Sequence, residues 1–130
     1  MKNRFLVVDD DILNNTLCNY TISKVFTDAD IHCFQYPKEG LNYILSEYRD
    51  KREMHPTILF LDINMPEING WDFLDEFSKM SNTIHEQFTI YLVSSSIYDS
   101  DRVKAQSNVH VKDYLEKPLS STILKQLVDW

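Results

Sequence analysis

Glycine is scarce in this chain: of 130 residues only Gly40 and Gly70 are glycines. Loops that cradle phosphate through backbone amides need clustered glycines, so the P-loop and the dinucleotide fingerprint are both excluded, and any phosphate chemistry must use side chains. Cysteine is as rare. Cys18 and Cys33 make neither a disulfide framework nor a thiolate metal set, and both read as small buried hydrophobes. Long apolar runs are missing too: between Met1-Lys2-Asn3-Arg4 and the first aspartates stand only Phe5-Leu6-Val7-Val8, too few for a signal peptide or a membrane span. The expectation is a cytoplasmic protein with no membrane partner. Positive charge is in deficit, with a formal net charge of -7 and no Lys/Arg cluster, which argues against direct binding to nucleic acid. The triplets Asn14-Asn15-Thr16 and Asn19-Tyr20-Thr21 fit the glycosylation pattern but carry no weight in a chain that is not secreted.

What is present can build a core. Hydrophobic residues make up 43% of the chain and charged residues 25%, a globular balance, and the length suits one domain spanning 1–130. Continuous apolar runs at Phe5–Val8, Ile58–Leu61 and Ile90–Val93 read as strands covered on both faces. Weaker strands are expected at Ile31–Gln35 and Val109–Leu115. Between them lie helical spacings at Leu13, Leu17 and Val25, at Leu41, Ile44, Leu45 and Tyr48, and at Phe73, Leu74 and Phe77, with Leu119, Ile123, Leu124 and Leu127 at the end. The polar stretch Asp99–Ser107, with Val103 almost its only aliphatic residue, reads as a mobile surface helix. Five strands alternating with five helices predict an α/β protein with a parallel sheet covered on both faces.

In such sheets ligands sit outside the carboxyl ends of the strands. The candidate strand ends carry Asp9-Asp10-Asp11, then Asp62, then Ser94-Ser95-Ser96, then Lys117-Pro118. Carboxylates converging from Asp9, Asp10 and Asp62 repel one another unless a cation lies between them. Mg²⁺ suits an all-oxygen acidic site with positions left for phosphate, whereas zinc would want His or Cys. A carboxylate can also attack a phosphoryl group, and Asp62 is the best placed; Lys117 and the Ser94 hydroxyl would then clamp phosphoryl oxygens. Asp11 reads as a helix cap, Ser95 and Ser96 as loop residues, Trp71 as a partly buried helix-start residue, and His32, His55, His85 and His110 as structural or surface groups.

These residues resemble the receiver domains of bacterial two-component response regulators over nearly the whole chain. Leu6-Val7-Val8-Asp9-Asp10 is similar to that family's acidic-pair strand, Asp62-Ile63-Asn64-Met65-Pro66 through Gly70 to its phosphorylation loop, and Tyr114 with Lys117-Pro118 to its last strand and proline turn. The stretches Leu92–Ser96 and Lys104–Asn108 look like stand-alone receivers from Bacteroidetes. The resemblance implies a doubly wound, flavodoxin-like sheet of order 2-1-3-4-5. It also implies Asp62 as phosphoacceptor, Asp10 as direct and Asp9 as water-mediated Mg²⁺ ligand, and the Asn64 backbone carbonyl in the coordination shell, with Mn²⁺ as a substitute metal. Ser94 and Lys117 would contact the phosphoryl group, Tyr114 would swing inward on phosphorylation, and the Lys117-Pro118 peptide would be cis. Implied partners are a sensor histidine kinase or histidine phosphotransfer protein, a downstream protein that reads the last two strand-helix units, and a second copy in a phosphorylation-dependent homodimer. The chain departs from many relatives at Ser95, where they carry Ala or Gly, and at His110-Val111, where they carry Gly-Ala.

Three other readings stand beside this one. A receiver-fold scaffold that works without phosphorylation would lack the acceptor, the acidic pair or the lysine, and none is missing. The chain could be the receiver part of a longer regulator with a DNA-binding or enzymatic output. A phosphatase using an aspartyl phosphate commonly has a second acid two residues after the nucleophile; Asn64 stands there, leaving no acid to protonate a departing alcohol.

Overall fold

The computed structural model describes residues 4–95 and 99–127. Strands β1 (Arg4–Val8), β2 (Asp30–Phe34), β3 (Thr57–Asp62), β4 (Phe88–Ser94) and β5 (Val111–Glu116) alternate with helices α1 (Ile12–Val25), α2 (Pro37–Glu47), α3 (Gly70–Ser78), α5 (Asp99–Gln106) and α6 (Ser121–Leu127), with a one-turn helix α4 (Asn82–His85) before β4. All the strand pairs are parallel and the order is β2-β1-β3-β4-β5. The apolar runs explain why β1, β3 and β4 lie at the centre, since a strand buried on both faces has no polar side to show. Their side chains divide by the period of two. Leu6, Val8, Leu59, Leu61, Ile90 and Leu92 pack under α2 and α3, while Phe5, Val7, Ile58, Phe60, Tyr91 and Val93 pack under α1 and α6.

The helices differ from expectation in informative ways. α1 buries Asn15, Cys18 and Ile22 and packs Val25 against the same cluster, leaving Leu13 80% and Leu17 46% exposed, so of the expected spacing Val25 lies on the inner face while Leu13 and Leu17 mark the wrong one. Its true inner face is partly polar because it packs against the end of β1, where backbone and carboxylate groups need donors. α3 buries Phe73, Leu74 and Phe77 as expected. In α2, Leu41 and Ile44 are buried while Leu45 is exposed, and Tyr48 is fully buried at the helix end. α5 is indeed a surface helix; Val103 faces solvent and Ala105 is its buried residue. Among the described residues the helices number six rather than five. α4 is too short to show periodicity; Ser81 caps it and Ile84 anchors it. β5 starts at Val111, because Val109 is almost wholly exposed. Among the described residues no helix is long and apolar enough to cross a membrane.

Candidate functional site: an acidic cluster at the carboxyl ends of the strands

β1 and β3 are neighbours in register, Val8 opposite Leu61, so the residues that follow them, Asp9 and Asp62, emerge side by side. Asp9 is 2% and Asp62 5% exposed, and with the half-buried Asp10 their carboxylate oxygens lie within 4.8 Å of one another. Lys117 arrives from the end of β5 and places Nζ 2.7 Å from Asp9 Oδ2 and 3.3 Å from Asp62 Oδ1. Its backbone N–H donates to the Ser94 carbonyl at 2.8 Å, tying the ends of β4 and β5 together, and the Lys117-Pro118 peptide is cis. Four strand ends thus meet at one point.

The electrostatics are lopsided, three carboxylates against one ammonium. Burial, and then the neighbouring Asp9 charge, push the Asp62 carboxyl up to about 6, although Lys117 and the Asn64 N–H pull the other way. Burial disfavours the Lys117 charge, but Asp9 and Asp62 outweigh it and its pKa is raised. Lys117 is nearer Asp9, so Asp62 is left undercompensated. An all-oxygen cluster with excess negative charge and no His or Cys among its members fits a hard divalent cation.

The other expected residues fall as follows. Ser94 is fully buried at the end of β4. Asn64 is exposed, with its N–H on the Asp62 carboxylate. Tyr114 is buried opposite Leu92 on β4, and the Arg102 guanidinium stands 5.8 Å from its ring centroid. Asp11 caps α1, its Oδ1 accepting from the Leu13 N–H at 2.9 Å. Ser95 is exposed, and Ser96 lies outside the described residues. Trp71 is half-buried at the start of α3 with Lys104 Nζ 4.6 Å from its ring centroid. Cys18 is buried, which pushes its thiol up to about 11, and Cys33 is half-buried. The four histidines lie on other elements, away from the cluster.

Sequence reasoning missed two residues near the site and the reason for a third. Asn14 Nδ2 donates to Asp9 Oδ2 at 2.6 Å, and Asn15 Nδ2 to the Asp9 carbonyl at 2.9 Å. Two asparagines in the first turn of a helix that follows an acidic strand end are a usable signal, hidden here by their glycosylation-like triplet. Gly70 is the third. A Cβ there would stand 2.7 Å from the Asp62 carbonyl oxygen and 2.9 Å from Ile63 Cα, so only glycine lets α3 start against the Asp62 backbone.

A doubly wound sheet with an acidic cluster at its switch point defines a class of ligand-binding α/β domain. Within it, a family model for the response regulator receiver domain matches residues 5–129, and the chain belongs to that family. It is 30% identical to a two-component response regulator from Cytophaga hutchinsonii, with a TM-score of 0.87, covering 98% of this chain and 94% of that one. A receiver protein from Dyadobacter fermentans shares the fold at 21% identity and a TM-score of 0.87, covering 99% of this chain and 96% of that one. Among curated proteins it is 24% identical over 98% of its length to a 3',5'-cyclic-nucleotide phosphodiesterase of Dictyostelium discoideum, of which it spans 15%. It spans 28% of two response regulatory proteins of Staphylococcus epidermidis. The domain is therefore a response regulator receiver, a signalling module.

Proposed function

We propose that Asp62 is the phosphoacceptor of a Mg²⁺-dependent switch and that residues 1–130 act as one receiver domain in the cytoplasm. The observation that carries this reading is Lys117 Nζ lodged between Asp9 and Asp62 within a cluster of three carboxylates. An Asp62 oxygen attacks the phosphorus of a phosphohistidine on a sensor kinase or phosphotransfer protein. The P–N bond breaks, and the imidazole nitrogen leaves with the bonding electrons and takes up a proton. Water later attacks the same phosphorus, returning inorganic phosphate and the Asp62 carboxylate. Asp9, Asp10, Asp62 and the Asn64 carbonyl would hold Mg²⁺, or Mn²⁺ in its place. When bound, the metal offsets negative charge on phosphoryl oxygens. Lys117 pairs one oxygen and the Ser94 hydroxyl donates to another.

Leu13, Leu17 and Tyr20 (60% exposed) form an apolar stripe on α1, directly opposite its buried face and starting beside the acidic cluster. That stripe supports docking of the phosphodonor there, since contiguous exposed apolar side chains mark contact surfaces. The output side is α5, β5 and α6, where Ser94 and Tyr114 would relay phosphorylation to a downstream protein or to a second copy by population shift.

The test is Mg²⁺-dependent labelling from acetyl phosphate. Wild-type protein should label at one site and Asp62→Asn should lose labelling by more than about a hundredfold; equal labelling of the variant would place the acceptor elsewhere. The absence of any labelling in wild type, with no response to beryllofluoride, would favour the phosphorylation-independent scaffold.

A further inference from the structure

Among the bonds between described residues, Asp9 accepts the most of any carboxylate in the cluster. Its Oδ1 accepts from the Asp11 N–H at 2.9 Å, and its Oδ2 accepts from both Lys117 Nζ at 2.7 Å and Asn14 Nδ2 at 2.6 Å. The two donors on Oδ2 differ in kind. Lys117 is charged, sits on a flexible stem, is shared with Asp62 at 3.3 Å, and in the proposed reaction turns toward the phosphoryl group. Asn14 is neutral and sits on a helix whose inner face packs on β1. The same helix turn also holds the backbone of Asp9, through Asn15 Nδ2 at 2.9 Å. When Lys117 turns away, Asn14 is the donor that stays on Oδ2.

We propose that Asn14 is a positioning residue for cation binding: its amide keeps the Asp9 carboxylate turned into the Asp9–Asp10–Asp62 cluster whether or not Lys117 is engaged there. The inference rests on reading Asp9 as a carboxylate that helps hold the cation. Hydrogen bonds that orient metal ligands are typically worth ten- to a hundredfold in affinity. Asp9 is read as acting through a water, so the effect falls at or just below the lower end of that range, about fivefold to tenfold.

The test measures metal binding alone, with no phosphodonor, by calorimetric Mg²⁺ titration and by the electron paramagnetic resonance signal of free Mn²⁺. Wild type, Asn14→Leu, Asp9→Ala and the double variant form a cycle that isolates the coupling. Asn14→Leu should weaken both metals about fivefold to tenfold, and in the Asp9→Ala background the same change should shift affinity by less than about twofold. An equal loss in both backgrounds would assign the effect to helix packing, through the 3.6 Å contact of Asn14 Nδ2 with Cys18 Sγ, and overturn the inference. Unchanged affinity in Asn14→Leu, with wild type binding normally, overturns it while leaving the proposed function intact. A wild type that binds neither metal sinks both. Should Asn14→Leu fail to fold, Asn14→Ala carries the same expectation.

Discussion

The two rims of the sheet solve opposite problems. At the carboxyl ends three carboxylates face one lysine, and Asp62 is left with its pKa raised to about 6. At the amino ends nearly everything is paired. Arg4 meets Asp30 at 3.1 Å, and the buried Tyr48 hydroxyl meets Thr57 Oγ1 at 2.8 Å. Buried Gln87 fills all its roles: its Oε1 accepts from the His55 N–H, and its Nε2 donates to the carbonyls of Tyr48 and Thr83, each at 2.8 Å. Rings of Tyr48, Phe88, Phe77, His85 and His110 pack beside this network. The lesson is that one rim carries stability and the other gives some up, because a cation can be drawn only to charge that the protein has left uncompensated.

The sharpest way to break this comparison is to exchange the effects. Gln87→Leu strands one donor and two acceptors, the Tyr48 carbonyl buried and the other two part-buried, and should cost about 4 kcal/mol, at one to a few per unsatisfied group. Denaturant unfolding checks this, and acetyl phosphate labelling of the folded fraction should be unchanged. Gly70→Ala comes next. Its methyl must displace the Asp62 and Ile63 backbone, a strain of about 1–3 kcal/mol, and because it moves the acceptor loop it should also slow labelling, unlike Gln87→Leu.

Asp62→Asn should go the other way and stabilise the metal-free protein. A carboxyl held near 6 rather than 3.8 carries at neutral pH an ionisation cost on the order of 2 kcal/mol, discounted for the lost Lys117 contact. The folded state keeps this proton longer than the unfolded one, so the group's contribution is full below the unfolded pKa of about 4 and is lost as pH rises through about 6. In wild type, Mg²⁺ binding should accordingly weaken below about pH 6 as Asp62 takes up its proton. A wild type and an Asp62→Asn variant with the same metal-free stability from pH 4 to 7 would show that the acidic rim is not under tension.

Much of this was legible from residue order alone, and the failures share a cause. The central strands announce themselves because burial on both faces leaves no polar alternation, and the acidic cluster is legible because strand-end carboxylates on neighbouring strands have nowhere else to go. Leu13 and Leu17 misled because hydrophobicity marks α1's exposed stripe, while its inner face uses Asn15 and Cys18 beside Asp9. Gln87 gave no signal at all: it is a polar residue in a polar stretch, and two of its partners, His55 and Tyr48, lie 32 and 39 residues away in sequence. α4 is shorter than the window in which periodicity can be seen. What sequence conceals is polar residues whose value is set by long-range partners.

His110 supplies the smallest effect and a test of sign. Its ring lies 4.6 Å from that of His85 and 5.3 Å from that of Phe77. Burial, and then the nearby His85, lower its pKa, since the ring cannot accept a proton without losing solvation and meeting a second imidazole. His85 has no slack to turn away, because its Nε2 is 2.7 Å from the Phe77 carbonyl. A depressed histidine holds fewer protons folded than unfolded, so its contribution is present above the unfolded value of about 6.5 and fades as pH falls through the lower folded one. The two rims therefore titrate in opposite senses: acidification relieves Asp62 and loads His110. In an Asp62→Asn background, where that raised carboxyl no longer contributes, stability should fall gently as pH drops from 7 to 5, and His110→Gln should flatten that slope. A slope that persists unchanged in His110→Gln would show that His110 does not carry it, and that the amino-end rim is less tightly closed than its hydrogen bonds indicate.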